Sequence, residues 1–100
     1  MTVIHDFGGI SFAWNQAKAV SNHRKHGVTF EEAVTAFADP FARVFDDPGH
    51  SSGSEKRFLL FGHSLAGKAL IVVHVERGAM LRIISARCAT PREKRAIEDA

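Results

Sequence analysis

Hydrophobic and polar positions alternate most clearly between Lys68 and Arg87, in KALIVVHVERGAMLRIISAR, which predicts two strands folded back on each other. Val, Ile and Leu dominate both halves, and ERGA between them supplies the charge and the glycine of a tight reversal. A three-residue loop, Arg77 to Ala79, would set Glu76 opposite Met80 and His74 opposite Arg82, with Val73 and Val75 opposite Ile83 and Leu81. That register gathers His74, Glu76 and Arg82 on one face and leaves the other apolar. A two-residue loop mixes charged and apolar residues on both faces. Because a slip of one residue flips every side chain, the unmixed register is the expected one.

The rest of the pattern surrounds this hairpin with helices and further strands. Residues 1–10 read as a loose leader closed by Gly8-Gly9, and Ile10 to Trp14 as a short strand. Asn15 caps a helix to about His26, stopped by Gly27, with Ala17, Ala19 and Val20 turned inward and Lys18, Asn22, Arg24 and Lys25 outward. Thr29, with Glu32 three residues on, opens a second helix whose stripe is Phe30, Ala33, Val34 and Phe37; Asp39-Pro40 ends it. Phe41 to Phe45 and Arg57 to His63 are predicted strands. The turn-rich loop 46–55 between them is the longest and the one expected to move. Thr90, Pro91 and Glu93 start a last helix with only Ala96 and Ile97 as apolar contacts, so it lies lightly on the rest or waits for a partner. The order predicts an α+β domain over 1–100: two N-terminal helices, an antiparallel sheet of about four strands, and a C-terminal helix.

Composition narrows the class. The 100 residues are 45% hydrophobic, with eight Phe and one Trp to fill a core. Net charge is only +2, but basic residues cluster at 18–26, 82–87 and 92–95, and local patches govern contact with a polyanion. A single Cys, Cys88, excludes an internal disulfide and fits a reducing compartment. With no surrounding nucleophile signature, Cys88 reads as a small residue at a strand end. No signal peptide and no apolar run near the ~18 residues of a membrane span is present, so a cytoplasmic, soluble protein is expected.

Three groups could carry chemistry. His74, Glu76 and Arg82, joined by Arg57 from the neighbouring strand and Arg87 from the hairpin end, suit metal-free RNA cleavage. A base takes the 2′-OH proton, arginines neutralise the phosphorane, and an acid protonates the leaving 5′ oxygen. The same residues equally describe a solvated sheet face with a cross-strand ion pair. In SNHRKHG (21–27), Lys25 and His26 are placed either to contact phosphate or simply to complement the helix dipole. Among the six His, His23 and His26 are spaced i, i+3, and His74 could meet His63. No carboxylate or Cys completes a metal-ligand set, so no metal and no cofactor is expected. GHSLAGK (62–68) lies between strands and is not a phosphate loop, and PREKR (91–95) reads as a solvated helix face or a nucleic-acid contact.

The ordered set of motifs resembles a known family. Phe12, Trp14, Lys18 and Ala19, then S-N-x-x-K-H-G-V-x-F-E-E-A (Ser21 to Ala33), F-x-D-P (Phe37 to Pro40), E-x-R-F (Glu55 to Phe58), H-x-E-R-G (His74 to Gly78), R-I-I-S-A-R (Arg82 to Arg87) and A-T-x-R-E (Ala89 to Glu93) are similar to the BrnT toxins. The resemblance covers roughly residues 12 to 95. It implies a ribonuclease toxin of a type II toxin–antitoxin pair with a RelE-like fold. It also implies a cognate BrnA-like antitoxin of ribbon-helix-helix type, a hetero-oligomer, and operator DNA reached only through that antitoxin. The resemblance brings no agreed catalytic set; on residues in the matching stretches we assign Arg82 and Arg87 as phosphate clamps, Glu76 as the base, His74 as the acid, and Arg57, Lys25 and His26 as RNA contacts. The chain departs from the family pattern at Val75 and Ala79, and it has no Tyr, with Ile97 standing where a Tyr is common. A toxin-derived corepressor without catalysis, or an orphan RNA-binding domain, are the alternatives.

Overall fold

The computed structural model describes residues 1–47, 49 and 55–99. Six strands form one sheet: β1 (Thr2–Phe7), β2 (Ile10–Asn15), β3 (Arg43–Asp46), β4 (Arg57–His63), β5 (Ala69–Arg77) and β6 (Met80–Cys88), in the order β1-β2-β6-β5-β4-β3. Helices α1 (Gln16–His26) and α2 (Phe30–Thr35), followed by a 3₁₀ turn at Ala36–Ala38, connect β2 to β3, and α3 (Pro91–Glu98) ends the chain. The class is α+β as expected, but the sheet is larger and mixed rather than a four-stranded antiparallel meander. β2 and β6 run parallel, pairing Ser11 with Met80 and Ala13 with Arg82, while all other neighbours are antiparallel.

The expected loose leader is a strand. Val3, His5 and Phe7 oppose Trp14, Phe12 and Ile10. Gly8 and Gly9, both at positive φ, make the two-residue turn that a tight hairpin favours. Elsewhere the local signals hold. Asn15 accepts from the Lys18 N–H, Gly27 takes the left-handed conformation (φ 71°) after α1, and Thr29 accepts from the Glu32 N–H. Thr90 and Glu93 form a complete capping box, with Pro91 at the start of α3. The predicted loop at 46–55 lies mostly outside the described residues.

One sheet face, the inner one, carries the core. Phe12 and Trp14 of β2, Leu60 of β4, Leu70 and Val72 of β5, and Ile83 and Ala86 of β6 meet Phe30, Ala33 and Val34 of α2. The stripe predicted for α2 therefore points inward as read, with Phe37 partly buried against it. The orientation proposed for α1 is wrong in three places, since Ala17, expected inward, is exposed. Val20 is 47% exposed, whereas Asn22, expected to face solvent, is only 7% exposed. Gly62 in β4 lets the 3₁₀ turn close down on the sheet, since a Cβ there would lie 2.8 Å from the Ala36 carbonyl oxygen.

Asn22 explains how α1 joins the sheet. Its Nδ2 donates to the carbonyls of Val28 (3.0 Å) and Ala86 (2.8 Å), and its Oδ1 accepts from the Ala86 N–H (3.1 Å). The amide thus pairs with β6 as one more strand residue would, beyond the last residue that β2 pairs with it. It satisfies backbone groups that would otherwise be buried without partners.

Candidate functional site

The central hairpin closes with a two-residue turn, Gly78-Ala79, setting Arg77 opposite Met80, Glu76 opposite Leu81, Val75 opposite Arg82 and His74 opposite Ile83. Gly78 at φ 58° followed by a residue at negative φ is the turn chemistry of a type II′ hairpin. The three-residue register is therefore overturned, and with it the gathering of His74, Glu76 and Arg82 on one face. His74 and Glu76 leave the sheet on the inner side, Arg82 on the outer. The reason lies in how both faces absorb the mixing. A bulge at Ile84 shifts the pairing between Val73 and His74, so that Val72 still faces Ala86 and both reach the core. Val75, which shares the outer face with the buried Ile71 and Phe61, is fully buried although it lies between two arginines; long cationic stems cover apolar surface of this kind.

That outer face carries the arginines. Arg57 of β4, Val75 of β5 and Arg82 of β6 are directly opposed in one row, with Ala13 of β2 continuing it. Two strand spacings set the Arg57 and Arg82 backbones ~10 Å apart. Arg82 is half-buried and has no hydrogen-bond or ion-pair partner among the described residues. Arg77 shares this face two residues from Val75 and pairs with Glu55 at 3.0 Å.

Arg87 lies further along β6 and is clamped by α3. Both its terminal nitrogens donate to the Glu93 carboxylate, each at 2.7 Å. The Arg87 hydrogen bonds, aided by the Thr90 backbone N–H, hold the Glu93 carboxyl down to about 2, and the same pairing raises the Arg87 guanidinium. At its other end α3 is tied by Arg43, which donates to the Ile97 carbonyl, and by His63 at 3.7 Å from Glu98. No residue of α3 is buried, as its few apolar positions foretold.

His74 is a core histidine, 4% exposed. The Phe58 ring stacks on it at 5.8 Å and the Phe37 ring meets it edge-on at 5.0 Å. Its Nδ1 lies 3.4 Å from the Val72 carbonyl, and burial pushes its pKa below the ordinary histidine value. Glu76 is exposed on the same inner side, at the strand end. His63 points to the outer side, away from His74, and meets Asp39 instead (3.3 Å). Among the described residues no group of three potential ligands is gathered for a metal ion.

Lys25 and His26 are exposed in the last turn of α1. With Lys18 they line a pocket of about 200 Å³ whose far wall is Ile84 and Ser85 of β6. Ser85 opposes Val73 and so belongs to the outer face, between Arg82 and Arg87. The structure therefore brings together Arg57, Arg82 and Arg87, sets Lys25 and His26 at their margin, and separates His74 and Glu76 from them. The sequence reading missed Arg77, whose place follows once the turn is two residues long. It also missed Glu93 as the partner of Arg87, for which the capping-box motif was the available signal.

The fold and site define a class: an α+β protein with one sheet face roofed by helices and the other bearing arginines from three strands. Residues 14–93 match the family of ribonuclease toxins, BrnT, of type II toxin–antitoxin systems, and the chain belongs to that family. All seven candidate residues fall within the matched span. Membership implies an antitoxin partner and an RNA target. No curated protein matches the chain. Among the described residues no helix is long and apolar enough to cross a membrane.

Proposed function

We propose that this chain cleaves RNA without a metal, on the outer sheet face, as a RelE-like toxin of the cytoplasm silenced by a ribbon-helix-helix antitoxin. The antitoxin would carry the toxin to operator DNA. The observation that supports the reading best is the row Arg57–Val75–Arg82 on a face that the two N-terminal helices leave uncovered. Phosphate oxygens of a single strand meet Arg82 and Arg57, and Arg87 where a phosphate displaces the Glu93 carboxylate from its guanidinium, while Lys25 holds a flanking phosphate at the pocket. As the 2′ oxygen attacks phosphorus and the 5′ oxygen leaves, the guanidinium groups neutralise the charge that builds on the phosphorane oxygens. His26, exposed beside Lys25, takes the proton from the 2′-OH and returns it to the leaving 5′ oxygen, a shuttle for which His74, buried on the opposite side, is badly placed. Glu76 and His74 then serve the strand end and the core rather than the reaction.

The test is cleavage of RNA by the purified chain in EDTA, with product ends identified. Loss of one arginine that stabilises the transition state lowers the rate by roughly 10²–10³-fold. Arg82→Ala is expected to show that loss and to relieve growth arrest on expression, with the fold retained by circular dichroism; Arg82→Lys, which keeps the stem over Val75, separates lost chemistry from lost packing. His74→Phe is expected to keep cleaving. Equal activity of Arg82→Ala and the parent, or abolition of cleavage by EDTA, would overturn the reading. A chain that binds its antitoxin and tightens operator binding without cleaving RNA would instead be a corepressor.

A further inference from the structure

The two edges of the sheet differ in a way the proposed RNA chemistry does not use. β3 is four residues long, lies between Pro40 and Pro48 in sequence, and carries Arg43 tied to the Ile97 carbonyl. Such features blunt an edge. β1 has none of them: six residues, TVIHDF, with no Pro, Lys or Arg and no break in its register with β2. Ile4 at its middle is 54% exposed.

The direction of the β1 backbone groups follows from its pairing. The Gln16 N–H donates to the Met1 carbonyl (2.9 Å), and the β1–β2 register continues this pair inward as Val3 with Trp14, His5 with Phe12 and Phe7 with Ile10. Antiparallel partners alternate between hydrogen-bonded and non-bonded pairs. Odd residues of β1 therefore bond β2, and Thr2, Ile4 and Asp6 aim their N–H and C=O groups outward. From the register, these even residues also share the outer face with Arg82, by way of Ser11 and Ala13.

We infer that β1 is a docking edge for a second copy of this chain, pairing antiparallel with its own counterpart about a two-fold axis through Ile4. In that register Ile4 meets Ile4, Thr2 meets Asp6, and Val3 meets His5. Every outward backbone group between Thr2 and Asp6 gains a partner, roughly six hydrogen bonds in all. The slipped alternative centred on His5 sets Ile4 against Asp6 and bonds fewer groups. The self-register also sets the exposed apolar residue against itself and the Thr2 hydroxyl beside a carboxylate, so the strand is complementary to its own copy. The axis stands perpendicular to the sheet, so the two six-stranded sheets become one and both arginine faces open to the same side. The inference stands independently of RNA cleavage.

The contact is small, so a dissociation constant of roughly micromolar or weaker is expected. The experiment is sedimentation equilibrium of the full chain from about 1 to 500 μM, a range chosen to span an interface at the weak end. The parent is expected to dimerise. Ile4→Lys, which sets two ammonium groups face to face, and Ile4→Pro, which deletes an outward N–H while sparing every β1–β2 bond, are expected to weaken the dimer at least tenfold. Both should keep the parent circular dichroism. In a Cys88→Ser background, Ile4→Cys should form an intermolecular disulfide on oxidation, since facing Cα atoms of a bonded pair lie about 5.5 Å apart. Thr2→Cys, which faces Asp6, should not. A parent that stays monomeric across the range overturns the inference. So does a dimer that both Ile4 variants leave intact, or one in which Thr2→Cys cross-links and Ile4→Cys does not.

Discussion

Replacing Asn22 tests whether one side-chain amide holds α1 to the sheet. In Asn22→Ala, the Val28 carbonyl and both the N–H and the C=O of Ala86 lose their partner at a site only 7% exposed. A buried group left unsatisfied costs about 1–3 kcal/mol. Three such groups could cost more, but the adjoining pocket lined by Lys25 and Ser85 admits solvent to part of the gap. We expect about 3 kcal/mol, a large share of the 5–15 kcal/mol typical of a domain. In a chain of this size that is a fall of roughly 12–24 °C in melting temperature. Asn22→Asp refines the test. Its Oδ1 can still accept from Ala86, but the second oxygen would face two carbonyls instead of donating to them. The buried carboxylate is pushed above its ordinary pKa, so its destabilisation is full at neutral pH and shrinks as acid supplies a proton that can donate again. Urea unfolding followed by circular dichroism at about pH 7.5 and 4.5 separates the variants, relative to the parent at each pH. Asn22→Ala should cost the same at both; Asn22→Asp should cost more than Asn22→Ala at the higher pH and recover at the lower. Costs under about 1 kcal/mol for both would refute the bridging role.

Three further outcomes follow from the geometry. Gly62→Ala forces a Cβ to 2.8 Å from the Ala36 carbonyl oxygen, and a loss of about 1–3 kcal/mol is expected in urea unfolding, with the 3₁₀ turn displaced in a crystal structure. Glu93→Gln weakens the Arg87 pair and the capping box. Because Glu93 is a third exposed, the cost is discounted to about 1 kcal/mol, and hydrogen exchange should quicken in α3 before the core. In the parent, the Glu93 contribution is complete above its unfolded pKa and fades as pH falls from about 4.5 toward about 2. His74→Phe removes a group whose folded pKa is depressed by burial. The parent should lose stability as pH falls below the ordinary histidine value of 6.5, and the variant should show a flatter profile over the same range by chemical denaturation.

What the sequence disclosed was local, and what it concealed depended on distance. Caps at Asn15, Thr29 and Thr90, the stops at Gly27 and Pro40, and the span of β4 all follow from neighbours within four residues. β1 carried a usable cue that went unread, since Phe7-Gly8-Gly9-Ile10 is a two-residue hairpin turn between residues that pair. The hairpin register failed for a different reason. Clean separation of polar and apolar residues is a sound rule for a flat, regular ladder, but the bulge at Ile84 restores the inner pattern from the wrong parity. Asn22 looked like any polar residue on a helix, because two of its three hydrogen bonds go to a residue 64 positions away. Of the seven proposed site residues, Lys25 and His26 rest on the basic cluster that ends α1, which a register error leaves untouched, whereas Arg82 was placed by the same register as His74 and Glu76 and parted from them when it changed. His74 and Glu76 were chosen by their partners in the register and moved with it.

The parallel alignment of β2 with β6 has a consequence for synthesis on the ribosome. β6 is flanked by β2 on one side and by β5 on the other, so the early hairpin, packed only on α1 and α2, has no second sheet neighbour until the chain is made to about Cys88. Ribosomes that stall or release the chain before that point would leave a fragment lacking its middle strand and two of its arginines. Such fragments should be shed harmlessly to proteases, and any harm the chain can do is deferred to the last moments of translation.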